Sequence, residues 1–301
     1  MFLRILKIGF LSAVCAGSSA CAGLKKYTAE FESRWKDETL FEKSLEGEAA
    51  LQRNDAIAQA LIEAGAVEGK NCDEARVSAR RAMMLAPESE WPQVVLAECD
   101  LSEGRAREAL ASLSRLEQLK TEPRVLLAKG IANIRLGDYK LAIEDIEEAL
   151  RRDTHMWRGW NSLGIAFDMA GRHEDAASVY ETAAELNTTS GAAYNNMGMS
   201  YLQQGKTGEA ITAFRKSLER DPRLAAARLN LRVAYAMDGQ YEEAIAGVSE
   251  AEKASVYNNT GVAAMRRGEY DRARYFFQKA LEVSPVYYAV AADNLQRLPH
   301  N

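Results

Sequence analysis

Apolar residues recur every three or four positions along most of the chain, the spacing that gathers them on one face of a helix. Between Trp157 and Asn187 the pattern resolves into two stretches. Trp160, Leu163 and Phe167 mark a first helix that runs to about Ala170, where Gly171 breaks it. Ala176, Val179 and Ala183 mark a second, starting near Glu174. No strand-like alternation persists anywhere. Two helices of this length cannot bury both their faces alone, so such a pair must stack on another like it.

The pair repeats. Gly130, Gly164 and Gly198 lie 34 residues apart, and their neighbours keep the same interval. Trp160, Leu163, Gly164, Phe167, Ala176, Tyr180 and Ala183 return as Tyr194, Met197, Gly198, Tyr201, Ala210, Phe214 and Ser217, with Pro222 closing the unit. Leu126, Ala142, Ile146 and Ala149 fit the same frame upstream. Gly164 and Ala176 are small where two helices must approach closely, and Tyr180 fills the adjoining space. A 34-residue period with aromatic, small and Pro positions in this order resembles the tetratricopeptide repeat. The resemblance implies an all-α, right-handed superhelical solenoid of helix-turn-helix units.

Extended outward, the frame predicts units near 56–89, 90–122, 123–156, 157–190, 191–224, 225–253 and 254–287. The first is degenerate and rests on Ala75, Ala79, Ala82 and Pro87. The sixth carries Arg232 in place of the packing glycine and is short, with 29 residues from Arg232 to Gly261. The missing residues are expected between Ala251 and Tyr257, after the second helix. A last amphipathic stretch, Tyr287–Leu298, is expected to cap the seventh unit, with residues 288–301 as capping helix and tail.

At the other end Arg4 and Lys7 precede an uncharged run from Ile8 to Leu24, whose apolar part is too short to span a bilayer. It ends in Ser18-Ser19-Ala20-Cys21, small residues directly before a cysteine. This resembles a bacterial lipobox, which implies residues 1–20 as signal peptide and Cys21 as the lipidated residue. Ser18 departs from the commoner Leu, and an ordinary secretory signal cut near Ala20 is the other reading. Multiple acylation anchors a chain without a spanning helix. Ala22 after the cysteine favours the outer membrane, by analogy with enterobacterial sorting. Residues 21–55 then form a tether and an N-terminal helix.

Composition and charge narrow the function. The net charge of −5 becomes −7 once Arg4 and Lys7 are removed, and no basic cluster with interleaved aromatics occurs. Nucleic acid is therefore not the expected partner. The histidines, His155, His173 and His300, belong to no HExxH, and no paired CxxC, GxSxG or phosphate loop is found. No cofactor, metal, small-molecule substrate or catalytic set is expected. Cys72 and Cys99 fall at neighbouring helix ends in this stacking, and two readings stand: a disulfide, permitted in an oxidising envelope, or two buried free thiols.

In the tetratricopeptide fold the second, fifth, sixth, ninth, twelfth and thirteenth residues of each unit face the concave side. Here these include Arg124, Arg158, Asn161, Asn195, Asn196, Asn230, Asn258 and Asn259. An Asn amide both donates and accepts, which suits an extended peptide backbone, and an Arg can hold a carboxylate. The other reading of the Asn residues is that they solubilise the face or bond between neighbouring helices. Ile131, Ile165, Met199, Val233, Val262 and Met265 supply apolar positions on the same side.

The closing segment adds a second resemblance. Tyr257-Asn258-Asn259, Gly261, Arg267-Gly268-Glu269-Tyr270-Asp271-Arg272-Ala273, Ala280-Leu281-Glu282, Ser284-Pro285 and Asn294-Leu295 lie beneath the lipoprotein-like signal. Together they resemble the TadD-type lipoproteins of tight-adherence (Flp) pilus systems. That resemblance implies a non-enzymatic scaffold on the periplasmic face of the outer membrane, with protein partners among secretin or assembly components. The competing expectation is an adaptor that recruits peptidoglycan hydrolases or other envelope enzymes.

Overall fold

The structure is a computed structural model and describes residues 72–85, 87–284 and 288–299. The signal segment, Cys21, the tether and the first helix of the first unit lie outside the described residues. Within them the chain is all-α, with fourteen helices and no strand. They are α1 (Cys72–Leu85), α2 (Trp91–Ser102), α3 (Ala106–Leu113), α4 (Pro123–Leu136), α5 (Tyr139–Arg152), α6 (Trp157–Met169) and α7 (His173–Leu186). There follow α8 (Ala192–Gln203), α9 (Thr207–Arg220), α10 (Ala225–Asp238), α11 (Tyr241–Ile245), α12 (Lys253–Arg266), α13 (Tyr270–Val283) and α14 (Ala289–Gln296).

The even-numbered helices α2 to α12 are first helices of a unit, and the odd-numbered ones are second helices. Within each unit the two are joined by a tight turn with a left-handed glycine, such as Gly171 at φ 76°. One residue later the amide reaches back across the helix end: Arg172 N–H donates to the Phe167 carbonyl at 2.8 Å, and Asp138, Lys206 and Glu269 do the same at 2.9 Å to Asn133, Tyr201 and Ala264. This is a Schellman stop, which satisfies carbonyls that a helix end otherwise leaves open. It makes the glycine a requirement of the backbone rather than a spacer.

Close approach explains the other glycine. A Cβ on Gly164 would meet the Tyr180 ring at 2.5 Å, and one on Gly198 or Gly261 would meet Phe214 or Phe277 at 2.6 Å. In each case the large residue lies sixteen positions after the small one. The alanines at the next packing position, Ala109, Ala142, Ala176, Ala210, Ala244 and Ala273, are all fully buried. Ser217 replaces Ala at another such position and satisfies its hydroxyl by donating to the Gly191 carbonyl at 2.7 Å.

Each first helix packs on its own second helix, on the preceding second helix and on the next first helix. No two second helices touch among the described residues. A row whose inner members meet while its outer members stay apart must curve. The first helices therefore line the concave side. At the far end α14 packs on α13 and α12, burying Leu298 against the Phe276 and Phe277 cluster. It covers the last unit as a cap.

The sixth unit departs from its sequence reading. Its second helix does not run to Ala251: α11 stops at Ile245, five residues long where α5, α7, α9 and α13 have fourteen. Val248, sixteen positions after Arg232, falls beyond the helix. The guanidinium of Arg232 occupies this region and donates to the carbonyls of Ala244 and Ala246 at 2.9 and 2.7 Å. A long side chain at the close-approach position is incompatible with a helix continuing across it, and its charge caps the helix it ends. The shortening thus lies inside the second helix, upstream of where the sequence suggested.

Candidate protein-binding groove

Positions four residues apart on successive first helices form three stripes along the concave face, part exposed and part half-buried. On α6 the stripe is Asn161, Ile165 and Met169; on α8 it is Asn195, Met199 and Gln203; on α10 it is Leu229, Val233 and Met237. Met169, Met199 and Leu229 are 49, 37 and 40 % exposed. Of the apolar groove residues expected from sequence, Met199 is exposed. Ile131, Ile165, Val262 and Met265 instead lean into the core, half-buried against its clusters. Met169 and Leu229 were not singled out in the sequence, although their place in the 34-residue frame marks them.

The asparagines do form a ladder, and its rungs are bonds between units. Asn196 Nδ2 donates to Asn161 Oδ1 at 2.9 Å, and Asn230 Nδ2 donates to Asn195 Oδ1 at 2.9 Å. Asn195 Nδ2 approaches Asn196 Oδ1 at 3.5 Å, so one amide chain runs from α6 through α8 to α10. Asn258 is buried and accepts from Asn294 of the cap at 3.0 Å, which removes it from the groove surface. Its own Nδ2 lies 3.4 Å from Asn259 Oδ1, and Asn259 is exposed. Among the described residues no bond joins Asn230 to Asn259: the ladder is interrupted at the shortened sixth unit.

The two arginines are engaged as well. Arg124 does hold a carboxylate, that of the chain's own Glu98, through Nε and Nη2 at 2.5 and 2.6 Å. This bidentate pair ties α4 to α2. Arg158 lies over the Trp157 ring, 5.3 Å from its centroid, at the exposed edge of α6.

Sequence reading missed a polar junction inside the stack. Asp168, at the twelfth position of its unit, accepts from Ser200 Oγ at 2.6 Å and Tyr180 OH at 3.0 Å, with His173 Nδ1 at 2.9 Å. One carboxylate thereby locks α6 to its own second helix and to α8. Burial, then the neighbouring Asp168 charge, push the Tyr180 hydroxyl far above the ordinary phenol range. Ser200 bonds to the carboxylate and not to the imidazole, so this trio lacks the base-to-nucleophile contact of a hydrolytic triad. No group of three or more His, Cys, Asp or Glu side chains among the described residues is arranged to hold a metal ion.

Comparison with known proteins agrees with this geometry. Sequence models of the tetratricopeptide repeat match residues 127–190, 191–224 and 254–285. No curated protein matches the chain. Among solved structures, a tetratricopeptide repeat protein from Parabacteroides merdae is similar at a TM-score of 0.51 and 19% identity, over 82% of this chain and 98% of that one. The C-terminal part of a repeat protein from Cytophaga hutchinsonii is similar at 0.50 and 18% identity, over 81% and 98%. PilF of Pseudomonas aeruginosa is similar at 0.50 and 20% identity, over 72% and 97%. At these identities the likeness is one of fold. Repeat period, glycine stops, close-approach pairs and sequence match converge on one family, and the chain is a tetratricopeptide repeat protein.

Proposed function

We propose that the chain is a non-enzymatic scaffold that holds an extended segment of a partner protein along the concave face of α6, α8 and α10. The observation that carries this reading is the pairing of exposed Met169, Met199 and Leu229 with a line of amides beside them. Unbranched Met side chains adapt to varied partner residues, and amides satisfy a peptide backbone. Because the ladder amides already bond between units, the apolar stripe supplies the contact area and the amides orient the segment.

The cellular role proposed is that of an outer-membrane lipoprotein, anchored through Cys21, that supports assembly of a tight-adherence pilus secretin. Its support is the lipobox-like Ser18–Cys21 segment together with the closing motif from Tyr257 to Leu295. The test is affinity capture from crosslinked envelopes with wild type and with Met169→Glu/Met199→Glu, which alters the stripe and leaves the ladder in place. Secretin captured by wild type and lost in the double variant is the expected result. Equal capture by both moves binding off this face, and capture of cell-wall hydrolases without secretin replaces the pilus role with the adaptor role. Replacing Cys21 by Ser is expected to abolish incorporation of a palmitate analogue and to release the protein from membranes.

A further inference from the structure

The junction of α1 with α2 has a small apolar core. Its apolar contact is Ala75, Ala79 and Ala82 against Val95 and Cys99, with none of the aromatic fillers that Tyr180, Phe214 and Phe277 provide elsewhere. Polar groups reinforce it. Arg76 of α1 donates to both carboxylate oxygens of Glu103 at 2.6 and 2.7 Å, and Arg105 joins the same cluster through Asp100 at 2.5 Å.

Both cysteines of the described chain sit in this junction. Cys72 is the first residue of α1 and Cys99 lies in the last turn of α2. Cys99 Sγ approaches the Cys72 carbonyl at 3.8 Å. Cys72 Sγ is 3.1 Å from Ser102 Oγ, which donates to the Cys99 carbonyl at 2.8 Å. Cys99 Sγ thus faces the backbone of Cys72 across the junction, and both thiols are free. Their exposure differs: Cys99 is fully buried and Cys72 is half-buried at the helix end.

We propose that Cys72 and Cys99 are a reversible dithiol–disulfide site that fastens the first unit to the second, with a low-molecular-weight disulfide as oxidant. This site is separate from the concave groove and stands whether or not the groove binds a partner. The unequal exposure fixes the order of events. The accessible Cys72 attacks one sulfur of the oxidant, forming a mixed disulfide and releasing one thiol. Cys99 then attacks Cys72 Sγ, forming the protein disulfide and releasing the second thiol. Two protein thiols lose two electrons, the oxidant is reduced to two thiols, and those thiols take up the two protons. Burial, then contact with Cys72, push the Cys99 thiol up to about 12, in keeping with its acting second and only on an adjacent sulfur.

The experiment equilibrates the full chain in buffers of stepped oxidised-to-reduced glutathione ratio, quenches with acid and maps tryptic peptides. The expected product joins the peptide 71–76 to the peptide 82–105, and it is preceded by a glutathione adduct on Cys72. Amide exchange in α1 slows severalfold in the oxidised protein. An adduct on Cys72 that never resolves, thiols that stay free at every ratio, or a bridge to Cys15 or Cys21 instead would overturn the proposal. In Cys72→Ser, Cys99 is expected to remain unmodified while the protein is folded; uptake of glutathione there at the wild-type Cys72 rate overturns the assigned order. The wild-type map needs no substitution, so the proposal stays testable even where a variant folds poorly.

Discussion

At Gly164 an added methyl group would sit 2.5 Å from a ring that cannot retreat, because Tyr180 is buried and its hydroxyl is held by Asp168 at 3.0 Å. Gly164→Ala is therefore expected to destabilise by about 1–3 kcal/mol from overpacking, despite alanine's better helix propensity. Gly208, in the first turn of α9, has open space where its Cβ would lie. There the same exchange should stabilise by up to about 1 kcal/mol. Urea midpoints of the two variants beside wild type check both signs, and a loss at Gly208 equal to that at Gly164 would refute the close-approach argument. Charge gives a second residue-level expectation. The Arg76 fork, with Arg105 beside it, holds the Glu103 carboxyl down to about 2 from an ordinary 4.5. A group with a lowered folded value stabilises above its unfolded value, and that contribution disappears as pH falls toward the folded one. The stability gap between wild type and Glu103→Gln should be present at pH 6 and close between pH 4.5 and 2, read from thermal midpoints.

Among the elements, α11 shows what periodicity conveys and what it conceals. The helix starts at Cys72, Ala106, Tyr139, His173, Thr207 and Tyr241 keep intervals of 33 or 34 residues, so the architecture was readable from spacing alone. Repeat patterns record which residue types pack, and Ala244 and Val248 kept the pattern while the helix between them and the next unit was lost. The replacement of glycine by Arg232 was visible, but its use of two backbone carbonyls depends on where a six-bond side chain can reach. The groove was partly legible for a similar reason. A column of asparagines is a sequence fact, whereas the bonds from Asn196 to Asn161 and from Asn230 to Asn195 depend on stacking. Asp168 and Ser200 could not be paired in advance, since 32 residues and a unit boundary separate them. Arg232→Ala should leave the carbonyls of Ala244 and Ala246 without their donor. Amide exchange is then expected to quicken in 241–246 and to stay unchanged in α4–α7; quickening throughout would mean that Arg232 supports the whole stack.

Across the whole molecule each unit touches only its neighbours, so stability adds along the row and is lowest at its ends. Among the described residues the first junction, α1–α2, is held by ion pairs and small apolar contacts, and the last unit by the α14 cap. Leu298→Ala, removing a side chain 2 % exposed in the Phe276–Phe277 cluster, should cost about 2 kcal/mol or more. The loss should appear as faster exchange in α12 and α13 with α4–α9 unaffected. An equal loss along the row would contradict nearest-neighbour coupling. The interrupted amide ladder has a mechanical consequence. From α6 to α10 the concave edge is laced by amide bonds and resists bending, whereas between α10 and α12 that lacing stops and the adjoining outer helix is cut to five residues. A partner segment lying along α6, α8 and α10 thus meets amides already fixed in register, and one that continues to α12 crosses a seam held by Arg267 on the Met237 carbonyl instead.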